Sequence, residues 1–184
     1  MATPPDFTAG QVLTAAQMDA VGMWLVKSQN FSAADPLDIT SVFTSDFRNY
    51  KCYLQYYGSS ASNTNLQFFT GTNTIYNSAT YYRYGFYLPT AGGIANFYAA
   101  TQTEAFITNH GTTSTVTSPV EITFFSPQAT DSRTQLFVRS YDAQGGLFID
   151  LMHQVDSTNA FTGFRLDAAA GSISGKIRVY GIRD

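Results

Sequence analysis

From Met23 onward the chain alternates apolar and polar residues with a period of two, and turn residues interrupt the alternation at short intervals. In NYKCYLQYYG, Tyr50, Cys52, Leu54 and Tyr56 fall on one side, with Asn49, Lys51, Tyr53 and Gln55 on the other. Successive side chains of a strand point to opposite faces, so this spacing predicts a strand with one buried face. LDITSVF repeats it, setting Leu37, Ile39, Ser41 and Phe43 against Asp38, Thr40 and Val42. MWLVKSQNF, NLQFFTG, ATYYRYGFYLPT, TEAFITN, PVEITFFSP, TQLFVRSYD, GLFIDLMHQV, TGFRLD and SISGKIRVYGIRD also read as strands, separated by Gly, Pro, Asn, Asp and Ser. IANFYAAT fits a loop or a short helix equally well. In Phe68-Phe69 and Phe124-Phe125, one ring of each pair must leave the core face. About ten strands with few helices predict an all-β fold, an antiparallel sandwich or barrel.

The opening residues break this pattern. Pro4, Pro5 and Gly10 predict an extended arm over residues 1–12. Thr14-Ala15-Ala16-Gln17 then fits a capping box, with Leu13 and Met18 placed as a hydrophobic staple and Gly22 as the stop. Met18 and Val21 share a face of this two-turn helix. A helix so short is marginal alone, so it must dock, on its own domain or on neighbouring copies about a symmetry axis. The expected division is an arm and attachment helix over 1–22 and a β domain over 23–184.

Composition sharpens the picture. Charged residues are 12% of the chain, while aromatics are 15%. The charged share is about half the usual one. Little self-repulsion keeps copies apart, which suits a protein that lives in an assembly. A net charge of −3 offers no broad basic field, so nucleic acid is not an expected partner. No run approaches the ~18–20 apolar residues of a membrane span. The start MATPPDF lacks the basic and apolar regions of a signal peptide, which predicts synthesis in the cytoplasm without export. Cys52 is expected to serve as a small buried apolar residue.

Candidate chemistry is thin. His110 falls in HGTTST, and His153 lies in a strand where Asp150 would point to the opposite face. Metal-ligand spacings, nucleophile elbows and phosphate loops are absent from the sequence. Most of Asp131, Asp142, Asp150, Asp156, Asp167, Glu104 and Glu121 sit beside turns, where Asp serves local hydrogen bonds. The reading is of no enzyme, no metal and no cofactor. Aromatics carry the positive hypothesis: Tyr81, Tyr82, Tyr84 and Tyr87, with Arg83 among them, suit either packing or contact with a sugar or protein. The stretch 109–118 is the expected exposed loop, with Asn109, His110, Thr112 and Thr113 as distal contacts.

The opening PPDFTAGQVLTAAQMDAVGMWLV resembles the N-terminal segment of small virion proteins of tailed bacteriophages. The ending GSISGKIRVYGIR looks like the last strand of the same group. The resemblance implies a tail-fibre or head-fibre type component with a jelly-roll-like domain. It implies location in the virion, other tail or capsid proteins as partners, and adhesion to a host glycan or surface protein. Phe7, Leu13, Thr14, Gln17, Met18, Val21 and Trp24 would then attach or oligomerise the chain. Exposed sheet edges with little charge to blunt them add the expectation of a homotrimer. Two other readings are a capsid decoration protein and a lectin-like glycan-binding module.

Overall fold

The computed structural model describes residues 22–71, 73–89 and 92–182. Most of the predicted attachment helix, Phe7, Leu13, Thr14, Gln17, Met18 and Val21 included, lies outside the described residues. Those described contain thirteen strands and no helix. In chain order they are β1 (Met23–Ala34), β2 (Leu37–Ile39), β3 (Asn49–Gly58), β4 (Ser62–Thr70), β5 (Thr74–Ile75), β6 (Tyr81–Leu88) and β7 (Ala95–Gln102). They continue with β8 (Ala105–His110), β9 (Ser118–Phe125), β10 (Gln135–Asp142), β11 (Leu147–Val155), β12 (Phe161–Ala168) and β13 (Ile173–Ile182).

Every pairing is antiparallel. One sheet has eight strands, in the order β1-β13-β3-β9-β10-β11-β6-β7. The second runs β2-β12-β4, with β5 and β8 pairing with opposite ends of β4. Alternation decides which residues fill the space between the sheets. Tyr50, Cys52, Leu54 and Tyr56 of β3 are buried, as are Leu136 and Val138 of β10 and Ile177 and Val179 of β13. From the second sheet come Leu66, Phe68, Phe164 and Leu166. Rings meet across the gap: Phe68 lies 6.0 Å from Phe124, and Phe124 lies 5.1 Å from Phe164. All belong to one hydrophobic core.

Two expectations change. LDITSVF is a strand only as far as Ile39. Ser41 takes a left-handed φ of 55°, which breaks the alternation. Val42 and Phe43 both turn inward, and their N–H groups donate to the Thr162 carbonyl. IANFYAAT is neither loop nor helix, because its residues from Ala95 form β7 against β6. The Phe pairs divide as their spacing requires. Phe68 and Phe124 join the core, while Phe125 meets Phe137 edge-on at 5.5 Å on the outer face. Phe69 leaves the core cluster and is still buried, with the Arg165 guanidinium 5.6 Å from its ring centre.

Candidate functional site

The interior absorbs most of the residues whose chemistry drew notice in the sequence. His110 ends β8 rather than opening a loop, and it is fully buried. Its ring packs on Gly58, where a Cβ would collide with it. Tyr56 Oη donates to Thr64 Oγ1 at 2.7 Å, and Thr64 Oγ1 lies 2.9 Å from His110 Nδ1. Asn109 donates to Asp142 Oδ2 at 2.8 Å. Of the expected distal residues, only Thr112 and Thr113 are exposed. Cys52 is buried in the core, and burial pushes its thiol far above the ordinary range, leaving it unreactive.

His153 points into the core, while Asp150 accepts from Arg139 on the outer face. His153 Nε2 donates to the Phe106 carbonyl at 2.9 Å, so Nδ1 carries a lone pair, with no partner among the described residues. Arg83 is its cross-strand neighbour. Burial, with the nearby Arg83 charge, pushes His153 down to about 3. A depressed histidine contributes stability that is present above its unfolded value of about 6.5 and is lost as pH falls toward the folded value. Acidification from pH 7 to pH 4.5 should therefore cost the wild type about 3 kcal/mol through this residue. A His153→Gln variant can still donate to Phe106 and does not titrate. Its urea midpoint should change with pH by correspondingly less, and equal pH slopes would refute the assignment.

Strand β6 divides the predicted aromatic set. Tyr81 is fully buried, and its hydroxyl accepts the Phe68 N–H at 3.1 Å. Arg83 lies over Phe97 and Phe106, with its guanidinium carbon 4.1 Å and 5.3 Å from their ring centres. Burial lowers its pKa from the ordinary value. Tyr87 packs against the core, 5.6 Å from Phe97. Tyr81, Arg83 and Tyr87 thus build the interior, because odd positions of this strand face inward. Tyr82 and Tyr84 share the outer face, and Tyr84 meets Tyr98 of β7 at 5.3 Å. Trp24, the one described residue of the attachment set, lies in β1 opposite Gly181 and is half-buried.

Four of the carboxylates are held in ion pairs. Glu121 pairs with Lys51 at 2.7 Å, Asp156 with Arg133 at 2.8 Å and Asp150 with Arg139 at 3.0 Å. Asp38 pairs with Arg165 at 2.6 Å. Asp142 Oδ1 accepts the N–H groups of Gln144 and Gly145 and so fixes the β10–β11 turn. Glu104 accepts from Asn65 Nδ2 at 2.6 Å, and burial, with the nearby Asp167 charge, raises its pKa. Among the described residues, no three of His, Cys, Asp and Glu come together as a metal site would need.

What remains is the outer face of the eight-stranded sheet, which has two regions. The first is a hollow of about 540 Å³ crossing β13, β3, β9, β10 and β11. Tyr53, Tyr141 and Phe148 supply rings, and Arg139, Lys176 and Arg178 supply positive charge. The register places Arg178 beside Tyr53, Tyr53 beside Glu121, and Glu121 beside Arg139. Gln55 Nε2 donates to Thr117 Oγ1 at 2.9 Å, which ties the 111–117 loop to one end of the hollow. The second region is the β6–β7 hairpin. Tyr84, Phe86 and Leu88 are exposed there, with Ile94 at 71% and Tyr98 at 67%. From Tyr84 to Gln102 the chain carries no charged residue. Strand β7 is the sheet's edge, pairing only with β6 among the described residues.

Fold and surface together define an all-β, antiparallel, two-sheet protein whose distinctive chemistry lies on one outer sheet face and whose histidines and cysteine serve the core. No protein-family model matches the chain, and no curated protein matches it in sequence.

Proposed function

We propose that this chain is a non-enzymatic structural protein of a phage particle, a jelly-roll-like fibre-type component that assembles with copies of itself as a homotrimer. The observation that carries the assembly reading is the uncharged β6–β7 edge. An unpaired strand edge is a template for association, and proteins usually blunt it with charge, proline or bulges. Strand β1, at the opposite edge, has two register shifts and carries Lys27. Strand β7 has one register shift against β6, carries no charge and flanks five exposed apolar side chains. Such a contiguous apolar patch marks a protein contact. A second copy matches it, since like apolar surfaces bury one another without charge to compensate.

The virion part of the reading rests on the phage-like opening and closing segments and on the sparse charge. The absence of an enzymatic role is supported by the burial of His110, His153 and Cys52 and by the ion pairing of Asp38, Glu121, Asp150 and Asp156. The test is to label purified phage particles with antibody against this chain and view them by electron microscopy. Label at fibre tips is the expected result. Label spread over the shell would favour decoration of the capsid, and particles free of label would refute a virion role.

A further inference from the structure

We infer that the hollow on the outer face of the eight-stranded sheet binds an acidic saccharide, sugar rings that carry carboxylate groups. This goes beyond the assembly reading and stands without it, since the hollow and the β6–β7 patch occupy different strands of the face. The hollow's volume, about 540 Å³, falls inside the roughly 300–1,000 Å³ range of ligand clefts. A second, smaller hollow shares Glu121 and Arg139 with it and continues toward Phe137, so the feature is a track rather than an isolated pit.

The charge identifies the ligand class. The chain as a whole carries −3. Arg139, Lys176 and Arg178 outnumber Glu121 in the lining, so the hollow is locally positive on a negative protein. Arg139 is held by Asp150, but Lys176 and Arg178 take part in none of the ion pairs among the described residues. Both are exposed on adjacent outward positions of β13, ready to donate to a carboxylate.

The rings identify the rest. Tyr53 and Tyr141 are exposed and present an apolar face with a polar tip, the combination that covers the C–H face of a sugar while meeting its hydroxyls. Glu121 and the free amide oxygen of Gln55 add acceptors for hydroxyl donors. A phosphodiester backbone needs donors alone and makes no use of these acceptors. A polyol uses donors and acceptors side by side, as arranged here. The sequence hid this site because its lining comes from residues 53–55, 119–121, 139–141, 148, 176 and 178, brought together only by strand order.

The test is calorimetric titration of the full chain with three acidic tetrasaccharides, built from galacturonate, mannuronate, and the glucuronate-containing repeat of hyaluronan. Maltotetraose serves as the neutral comparator, and tripolyphosphate and a short oligo-dT as anionic ones. At least one acidic tetrasaccharide should bind at least ~10-fold more tightly than all three comparators. A Lys176→Gln/Arg178→Gln double variant should weaken it ~10-fold or more, as should Tyr53→Ala, each with an unchanged thermal midpoint. If a variant loses its fold, the wild type in 1 M salt replaces it, and weaker binding there is expected. Failure of all three acidic sugars would overturn the inference. So would equal affinity for tripolyphosphate or oligo-dT, or binding indifferent to both variants and to salt. None of these results bears on the solution mass of the protein, so the assembly reading stands or falls separately.

Discussion

Replacing Phe68 by alanine should destabilise the protein by about 3–5 kcal/mol. Phe68 is fully buried in β4, and its ring stacks on Phe161 at 4.5 Å. Phe124 of the opposite sheet lies 6.0 Å away, Phe43 6.1 Å and Tyr81 6.3 Å. Truncation would remove the transfer free energy of the ring and leave a cavity among side chains that are themselves fixed by aromatic contacts. Domains of ordinary stability hold about 5–15 kcal/mol in total, so roughly a fifth or more of the stability should disappear. Phe137→Ala provides the control. Its ring is exposed on the outer face, and its loss should shift the urea midpoint far less. A Phe68→Ala cost below ~1 kcal/mol would mean that the two sheets do not share the core described here.

Introducing charge into the β6–β7 patch should yield a folded monomer. In a Phe86→Glu/Tyr98→Glu variant, both substitutions fall on outward-facing positions, where no core contact is lost. Buried aromatics at the centre of an interface commonly contribute ~2 kcal/mol or more each. The pair should therefore weaken association by roughly a thousandfold, and glutamates facing their own copies would add repulsion. The circular dichroism of the variant should match the wild type, while its sedimentation should change. A variant that still assembles with unchanged affinity would place the contact elsewhere, with the opening segment as the remaining assembly element.

Much of the fold was legible because alternation is a local property. Lys51, Tyr53 and Gln55 against Cys52, Leu54 and Tyr56 could be assigned to faces from the sequence, and the structure divides them in that way. Asp150 and His153 likewise take opposite faces of β11. The pattern failed where the backbone leaves the regular strand. At Ser41 a left-handed residue sends two consecutive side chains inward. At β7 the run of Ala99 and Ala100 dilutes the alternation of Phe97 and Tyr98, and pairing with β6 overrides local preference.

Function was less legible, for physical reasons. Turn-like composition around His110 suggested exposure, but burial there depends on Gly58 and Thr64, distant in sequence. The tyrosine cluster looked like one surface, yet strand geometry sends Tyr81 and Tyr87 inward and Tyr82 and Tyr84 outward. The hollow was invisible because Tyr53 acquires its neighbours Glu121 and Arg178 only through long-range pairing. Sheet order is not encoded in any single segment.

The most direct test of the assembly claim is the solution mass of the full chain by light scattering over a range of concentrations. A homotrimer has three times the 20.1 kDa chain mass, the value expected for the wild type, with the single-chain mass for the Phe86→Glu/Tyr98→Glu variant. A wild type that stays at 20.1 kDa at every concentration would contradict the assembly claim.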